Sequence, residues 1–105
     1  MKKAKQNRLE ARGWRVGSAA EFLTLSAEEA ALVETKLALS RALRAKRQAK
    51  KLTQQQLAQR LQSSQSRVAK MEAGDASVSV ELLLRGLFAL GAKPEEVGRA
   101  LRHAA

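Results

Sequence analysis

Residues 52–74 contain two short amphipathic helix patterns separated only by a tight turn, and this spacing restricts the chain to few folds. Thr53 begins the first pattern and forms a capping box with the glutamine three positions later. Ser64 caps the second pattern, which ends at Gly74. Two helices joined so closely need a small residue where they cross, and Ala58 occupies that position. The segment is therefore predicted to be a packed helix pair.

The second helix of this pair is predicted to expose a polar face. Its apolar residues recur on the opposite side, where they would meet the first helix; the apolar residues of the pair are Leu57, Leu61, Val68 and Met71. The exposed side chains have the length and polarity to reach DNA bases and phosphates, and they are Ser64, Gln65, Ser66, Arg67 and Lys70. A solvated helix face is the simpler explanation, but the surrounding basic segment favours DNA contact.

Further capping signals predict helices on both sides of the pair. Ser26 and Glu29 begin a long helix that extends to about residue 50, with Leu32, Leu39 and Leu43 on one stripe and Leu37 beside them. One later helix is predicted to begin at Ser79 and end at Gly91, and another to begin at Pro94 and end near His103. A short helix is predicted to begin earlier in the chain, at Ser18. Aromatic residues make up 3% of the chain, so its core is built from Leu, Ala and Val. The predicted fold class is all-α.

The positive charge of the chain is concentrated in particular segments. The formal net charge is +10, which points to a polyanionic partner, and nucleic acid is the first choice. Residues 1–15 carry six basic side chains and one acidic one, residues 16–35 carry only acidic ones, and residues 36–70 carry ten basic side chains with no acid. The acid-free basic segment coincides with most of the helix pair.

The composition argues against several other classes of function. The chain has no cysteine and one histidine, His103, and no phosphate-binding loop or acid pair in an apolar setting. We therefore expect no enzymatic activity, metal or cofactor. No apolar run approaches the roughly 18 residues of a membrane span, and the basic N-terminus is not followed by the apolar segment of a signal peptide. We expect a cytoplasmic protein without a membrane partner.

Residues 37–91 resemble the Cro/C1-type, or XRE, helix-turn-helix family. The resemblance lies in Leu-Thr-Gln-x-x-Leu-Ala from Leu52, Ser-Gln-Ser-x-Val-x-x-Met-Glu-x-Gly from Ser64, and Leu-x-Ala-Leu-Gly before residue 92. It implies a domain of about five helices, here preceded by a short N-terminal helical extension. One departure concerns the turn, where Gln62 replaces the family's usual glycine. A left-handed backbone there would cost a non-glycine residue roughly 1 kcal/mol.

The resemblance also implies roles for individual residues. The base-reading positions of the recognition helix correspond to Gln65, Ser66 and Lys70, and the phosphate-binding positions correspond to Gln54, Ser64 and Arg67. The family joins the positions of Arg47 and Glu72 by a salt bridge, and two inward-facing opposite charges are in any case less costly paired than alone. On the exposed basic face of the long helix, we expect Arg44 and Lys50 to contact phosphate.

The residues before the domain resemble a subgroup of HigA-type antitoxins. The motifs are Gly-Trp-x-Val-Gly, Phe-Leu-x-Leu-Ser-x-Glu-Glu and Lys-Leu-Ala-Leu-Ser, between Gly13 and Ser40. This resemblance implies an antitoxin that binds a RelE/HigB-like toxin and represses its own operon. A stand-alone phage-type repressor without a toxin is the alternative. Partner-binding candidates are Trp14, Val16, Phe22 and Leu25. For Trp14, Phe22 and Leu25, anchoring of this segment on the domain's own core is the favoured interpretation, and both roles hold if a partner covers what remains exposed.

The predicted organisation has four parts: a basic arm over residues 1–12, a candidate partner-binding region over 13–36, the DNA-binding domain over 37–91 and a C-terminal helix over 92–105. The arm would be disordered, enter a minor groove or contact an acidic partner. Helix-turn-helix proteins of this type usually bind palindromic operators in double-stranded DNA as homodimers. Whatever apolar surface the C-terminal part leaves exposed is a candidate dimer surface, the relevant residues being Leu87, Leu90, Val97 and Leu101.

Overall fold

The computed structural model describes residues 26–104, which form five α-helices and, within that range, no β-strand. The helices are α1 (Ala27–Ala49), α2 (Gln54–Arg60), α3 (Gln65–Ala73), α4 (Val80–Ala89) and α5 (Pro94–Ala104). The predicted all-α class is confirmed. The predicted arm, the early helix and the partner-binding candidates Trp14, Val16, Phe22 and Leu25 lie outside the described residues.

Each of the first four helices begins at a hydroxyl-bearing residue, as the sequence predicts. Ser26 and Thr53 form full capping boxes with Glu29 and Gln56, so that each box satisfies two backbone N–H groups at a helix start. The hydroxyls of the other two N-caps accept a hydrogen bond from the backbone N–H three positions later; these residues are Ser64 and Ser79. The helix boundaries are thus set by local side-chain chemistry.

Helix α1 is the centre of the bundle and packs against α3, α4 and α5, whereas α2 packs against α3. The core between them is aliphatic. Its largest fully buried side chains include Leu39 and Leu43 of α1, Leu57 of α2, Met71 of α3 and Leu83 of α4. Burying a side chain of this size stabilises a fold by about 1.5–3 kcal/mol. This small core holds the α2–α3 pair in a fixed position.

The predicted stripe on α1 is wrong at one position. Leu39 and Leu43 are buried, but Leu32 is 58% exposed, while its neighbour Val33 is 1% exposed. Seven residues of an α-helix turn only about 20° short of two full turns, so Leu32 lies on nearly the same face as Leu39. It is exposed because the neighbouring helices do not cover the first turns of α1. The buried line instead includes Lys36, which the sequence analysis did not place inside.

Two polar side chains lie inside α1's buried face. The Lys36 ammonium donates hydrogen bonds to the backbone carbonyls of Asp75 at 3.2 Å and Ala76 at 3.3 Å, which ties α1 to the loop after α3. Burial lowers the pKa of Lys36, and the nearby Asp75 charge opposes that shift. Ser40 is 1% exposed, and its hydroxyl has no hydrogen-bond partner in the described part of the chain.

Two glycines permit close packing around α3. Gly74 ends the helix in the left-handed conformation, with φ of 70°, and a Cβ there would lie 2.9 Å from a methyl group of Leu37. Gly86 of α4 lies against buried side chains of the other helices. A Cβ there would meet Met71 Cε at 3.0 Å and Leu43 Cδ1 at 3.1 Å. Helix α4 therefore approaches α1 and α3 as closely as it does because position 86 has no side chain.

Helix α5 begins at Pro94, as predicted, and is attached to α1 by an ion pair. Lys46 Nζ and Glu96 Oε2 lie 2.7 Å apart. The hydrogen bond from Lys46 is the main reason that the pKa of Glu96 lies below its ordinary value. Because Glu96 lies in the first turn of α5, its negative charge also interacts favourably with the helix dipole.

Candidate nucleic-acid interface

Helices α2 and α3 form a tight pair around the small residue Ala58, which is 2% exposed. The turn between them is closed by backbone hydrogen bonds, including one from Ser63 N–H to the Ala58 carbonyl at 2.8 Å. Gln62 has a φ of 53°, the left-handed conformation that the family's usual glycine adopts without strain. The chain thus keeps the turn despite the expected cost of roughly 1 kcal/mol for a non-glycine residue.

The outer face of α3 is polar and open to solvent. Val68 and Met71 point inward and are fully buried, so the rest of the helix circumference is fixed by their packing. The exposed residues at the start and along the outside of α3 are Gln65, Ser66, Arg67 and Lys70. The three residues predicted to read bases therefore lie on one accessible surface of a helix whose inner face cannot rotate without opening the core.

Ser64 has a structural task in addition to its predicted phosphate contact. Its hydroxyl accepts a hydrogen bond from Arg67 N–H at 3.2 Å and lies 3.2 Å from the Ser66 hydroxyl. A serine hydroxyl has one donor hydrogen and two acceptor lone pairs. Capping uses the Ser64 hydroxyl only as an acceptor, and the residue is exposed to solvent at the start of α3.

Arg47 and Glu72 form an ion pair between α1 and α3. The Nε and Nη2 atoms of Arg47 donate to the two carboxylate oxygens of Glu72, the latter at 3.0 Å, and Nη1 donates to the Leu52 carbonyl at 2.7 Å. The side chains are 12% and 4% exposed, so the pair is largely shielded from water. The hydrogen bond to Glu72 raises the pKa of Arg47 above its ordinary value, and burial opposes the rise.

Gln54 links this ion pair to the reading surface, a connection that the sequence analysis missed. Its Nε2 donates to Glu72 Oε1 at 3.1 Å, and its Oε1 accepts from Gln65 Nε2 at 2.7 Å. The two hydrogen bonds join residues that are 18 and 11 positions apart in sequence, far beyond the three or four positions that separate neighbouring side chains on one helix. The link arises only when α2 and α3 cross, so no local signal would have revealed it.

Two further predicted phosphate contacts lie on the C-terminal part of α1 or directly after it. Arg44 is exposed on α1, and Lys50 directly follows the helix. The Lys50 ammonium lies 3.8 Å from where a Cβ on Gly91 would be, so it is beside the loop between α4 and α5. The structure therefore groups Gln54, Ser64 and Gln65 around the start of α3 but places Lys50 near a different loop.

The predicted dimer surface is reduced by burial. Leu87 and Leu90 are at most 2% exposed, Val97 packs against the core, and only Leu101, at 38%, remains substantially accessible. The sequence analysis overlooked Phe88, which is 47% exposed on α4.

Within residues 26–104, no cluster of His, Cys, Asp and Glu has the arrangement of a metal site. None of the helices in that range is long and apolar enough to cross a membrane.

Comparison with known proteins identifies the region that contains this surface. A family model described as helix-turn-helix, of the XRE type, matches residues 43–96, slightly more than half of the chain. No curated protein and no solved structure matches the chain significantly. The matched residues extend from the end of α1 into the first turn of α5 and include the complete α2–α3 pair.

Proposed function

The chain belongs to the XRE-type helix-turn-helix family of DNA-binding regulators, and we propose that it recognises its operator by inserting α3 into the major groove. The single observation that carries this proposal is the outer face of α3. It presents Gln65, Ser66 and Lys70 to solvent while Val68 and Met71 fix the helix on the core. A helix held in this way, with polar side chains near its N-terminus, suits base recognition in a groove about 12 Å wide.

Base recognition is assigned to the first turns of α3. The Gln65 amide has both a donor and an acceptor, the pattern that pairs bidentately with adenine N7 and N6. The Ser66 hydroxyl can donate or accept, and the Lys70 ammonium suits the acceptor atoms of guanine. Each good bidentate contact discriminates between bases by about 1–3 kcal/mol.

Phosphate binding is assigned to residues around this face. Gln54 uses one of its two amide hydrogens on Glu72 and retains the other for a phosphate oxygen. Ser64 and Arg67 flank the start of α3, while Arg44 and Lys50 add positive charge from α1. These contacts would raise affinity for any sequence and make it depend on salt.

The experiment is a fluorescence-anisotropy titration against DNA selected by the wild-type protein from random sequence, at two salt concentrations. Gln65→Ala should lose tenfold or more in affinity for the selected site and little for random DNA. Gln59→Ala removes another exposed glutamine, from α2, and serves as the matched control. Arg44→Ala should weaken binding to both DNAs and reduce the salt slope. Equal losses on both DNAs for Gln65→Ala would contradict base reading.

Binding as a homodimer to a palindromic operator is part of the proposal. Phe88 and Leu101 are accessible apolar side chains that a second copy would cover. Two recognition helices on half-sites about 34 Å apart would then share one face of the duplex. Sedimentation of the wild type and of Phe88→Ser, free and on DNA, tests this. A wild type that stays monomeric on its selected site would refute it.

The finer proposal is that the protein is an antitoxin for a RelE/HigB-like toxin and represses its own operon. Its support is the resemblance of the motifs between Gly13 and Ser40, together with the acid-only charge of residues 16–35 opposite the basic domain. Deleting residues 1–25 should then abolish binding of the product of a neighbouring toxin-like reading frame and spare DNA binding. DNA binding without any toxin binding by the full chain would favour the phage-type repressor.

A further inference from the structure

Three side chains connect the interior of the domain to its reading surface. The chain of hydrogen bonds runs from the Glu72 carboxylate to the Gln54 amide at 3.1 Å and on to the Gln65 amide at 2.7 Å. Glu72 is almost fully buried, Gln54 is half-buried, and Gln65 is exposed. We call these three residues the amide chain. Its outer end is a proposed base-reading residue, and its inner end belongs to the ion pair with Arg47.

The orientation of an amide group depends on what its neighbours can accept or donate. A carboxylate only accepts hydrogen bonds, whereas an amide has an accepting oxygen and a donating nitrogen. The amide of Gln54 must therefore turn its nitrogen to Glu72, which leaves its oxygen towards Gln65. Gln65 must in turn present its nitrogen to that oxygen. One buried negative charge thus determines the orientation of two successive amides.

We infer that Glu72 is a specificity-determining positioning residue, because its carboxylate fixes the order in which Gln65 presents donor and acceptor to the DNA. This inference rests on the proposed function of α3. The Nε2 atom of Gln65 lies on the side of α2, because it donates to Gln54. In the direction away from α2, Gln65 therefore presents first its remaining N–H donor and then its accepting oxygen. Adenine matches this order only when its N7 faces α2 and its N6 lies beyond. The ion pair with Arg47 holds the Glu72 carboxylate in place.

The ion pair and the orientation effect are separable by substitution. Glu72→Gln keeps the side-chain length but adds a donor, so both orientations of the amide chain become satisfied. Arg47→Lys also weakens the ion pair, because lysine lacks the planar fork that binds both carboxylate oxygens, yet it leaves the acceptor-only group intact. Gln54→Leu interrupts the chain and leaves the ion pair untouched. It provides a second test if Glu72→Gln folds poorly.

The test begins by selecting DNA from random sequence with the wild type, and with Gln65→Ala to identify the base pair that Gln65 reads. At that position, Glu72→Gln and Gln54→Leu should lose about tenfold in preference for adenine over thymine, and Arg47→Lys should retain the preference. Affinity of Glu72→Gln for the preferred site should fall only about twofold, because half of the molecules keep the productive orientation. Preferences at other base pairs should stay unchanged.

Amide NMR of the free protein supplies a readout that does not involve DNA. The Gln65 NH₂ signals should show one hydrogen-bonded proton in the wild type and in Arg47→Lys, and lose that asymmetry in Gln54→Leu and Glu72→Gln. If the wild type selects a sequence and Glu72→Gln keeps its adenine preference, the inference is overturned and the proposed function stands. If the wild type selects no sequence, the proposed function is overturned, and the inference about base reading with it.

Discussion

Replacing Glu72 by alanine should destabilise the domain by about 3 kcal/mol. The substitution removes the acceptor of three hydrogen bonds, two from Arg47 and one from Gln54. Each hydrogen bond to a charged group contributes roughly 1 kcal/mol or more, and a buried ion pair that loses one partner typically costs about 3–5 kcal/mol. The lower end applies because Arg47 is 12% exposed and keeps its hydrogen bond to the Leu52 carbonyl.

Thermal unfolding followed by circular dichroism measures this change. For a domain of this size, about 3 kcal/mol lowers Tm by roughly 12 to 24 °C. Glu81→Ala is the matched control, because Glu81 pairs with Arg85 on the surface of α4, where the two side chains are 74% and 70% exposed. Such a pair is expected to contribute less than about 0.5 kcal/mol.

A double replacement separates the pair's own contribution from the cost of leaving a charge unpaired. Arg47→Met combined with Glu72→Leu removes both charges and keeps apolar volume, so it should recover much of the stability that either single change loses. The reasoning is refuted if Glu72→Ala and Glu81→Ala shift Tm equally, since burial of the Arg47–Glu72 pair would then have no energetic consequence.

Three further predictions concern packing and pH. Gly86→Ala should destabilise by about 1–2 kcal/mol, because the new Cβ would lie 3.0 Å from Met71 Cε and 3.1 Å from Leu43 Cδ1. Gly98→Ala, with nothing within 4 Å, should stabilise α5 by up to about 1 kcal/mol; chemical denaturation compares the two variants, and equal effects would contradict the close packing. Ser40→Ala should leave stability unchanged or raise it by about 1 kcal/mol in the same assay, because the buried hydroxyl makes no hydrogen bond within residues 26–104. Hydrogen bonds from Ser77 lower the pKa of Asp75 below its ordinary value of 3.8. The stability that these bonds contribute is therefore present above pH 3.8 and is lost as the pH falls through the lowered pKa. Asp75→Asn should show a weaker dependence of stability on acid than the wild type, and identical acid-unfolding profiles would contradict this.

The helix starts could be predicted from sequence because capping is local. Ser26, Thr53, Ser64 and Ser79 each satisfy an N–H group three positions away, so a short window contains the whole interaction. The exposed face of α3 followed in the same way from the spacing of Val68 and Met71. These features needed no knowledge of tertiary structure.

The features that the sequence analysis missed depend on how separate elements meet. Lys36 can be buried because two backbone carbonyls of a distant loop accept hydrogen bonds from its ammonium group. The periodicity of α1 gives no information on where that loop lies. Gln54 was expected only to bind phosphate, and its bridge between Glu72 and Gln65 exists only once α2 and α3 cross. Leu32 was assigned to the core because heptad spacing does not show where the neighbouring helices stop covering α1.

The length of α1 determines how far its exposed N-terminal turns lie from the helix-turn-helix pair. The helix is continuous over 23 residues, which corresponds to about 35 Å, and its C-terminal part carries Arg47 of the Glu72 ion pair. Its first turns, up to Leu32, are mostly exposed, so a protein that gripped them would be held on a rigid spacer rather than on a tether. The operator and such a protein would therefore have a fixed relative orientation. Steric overlap between that protein and the DNA would depend on the rotational position of the operator around the DNA helix axis.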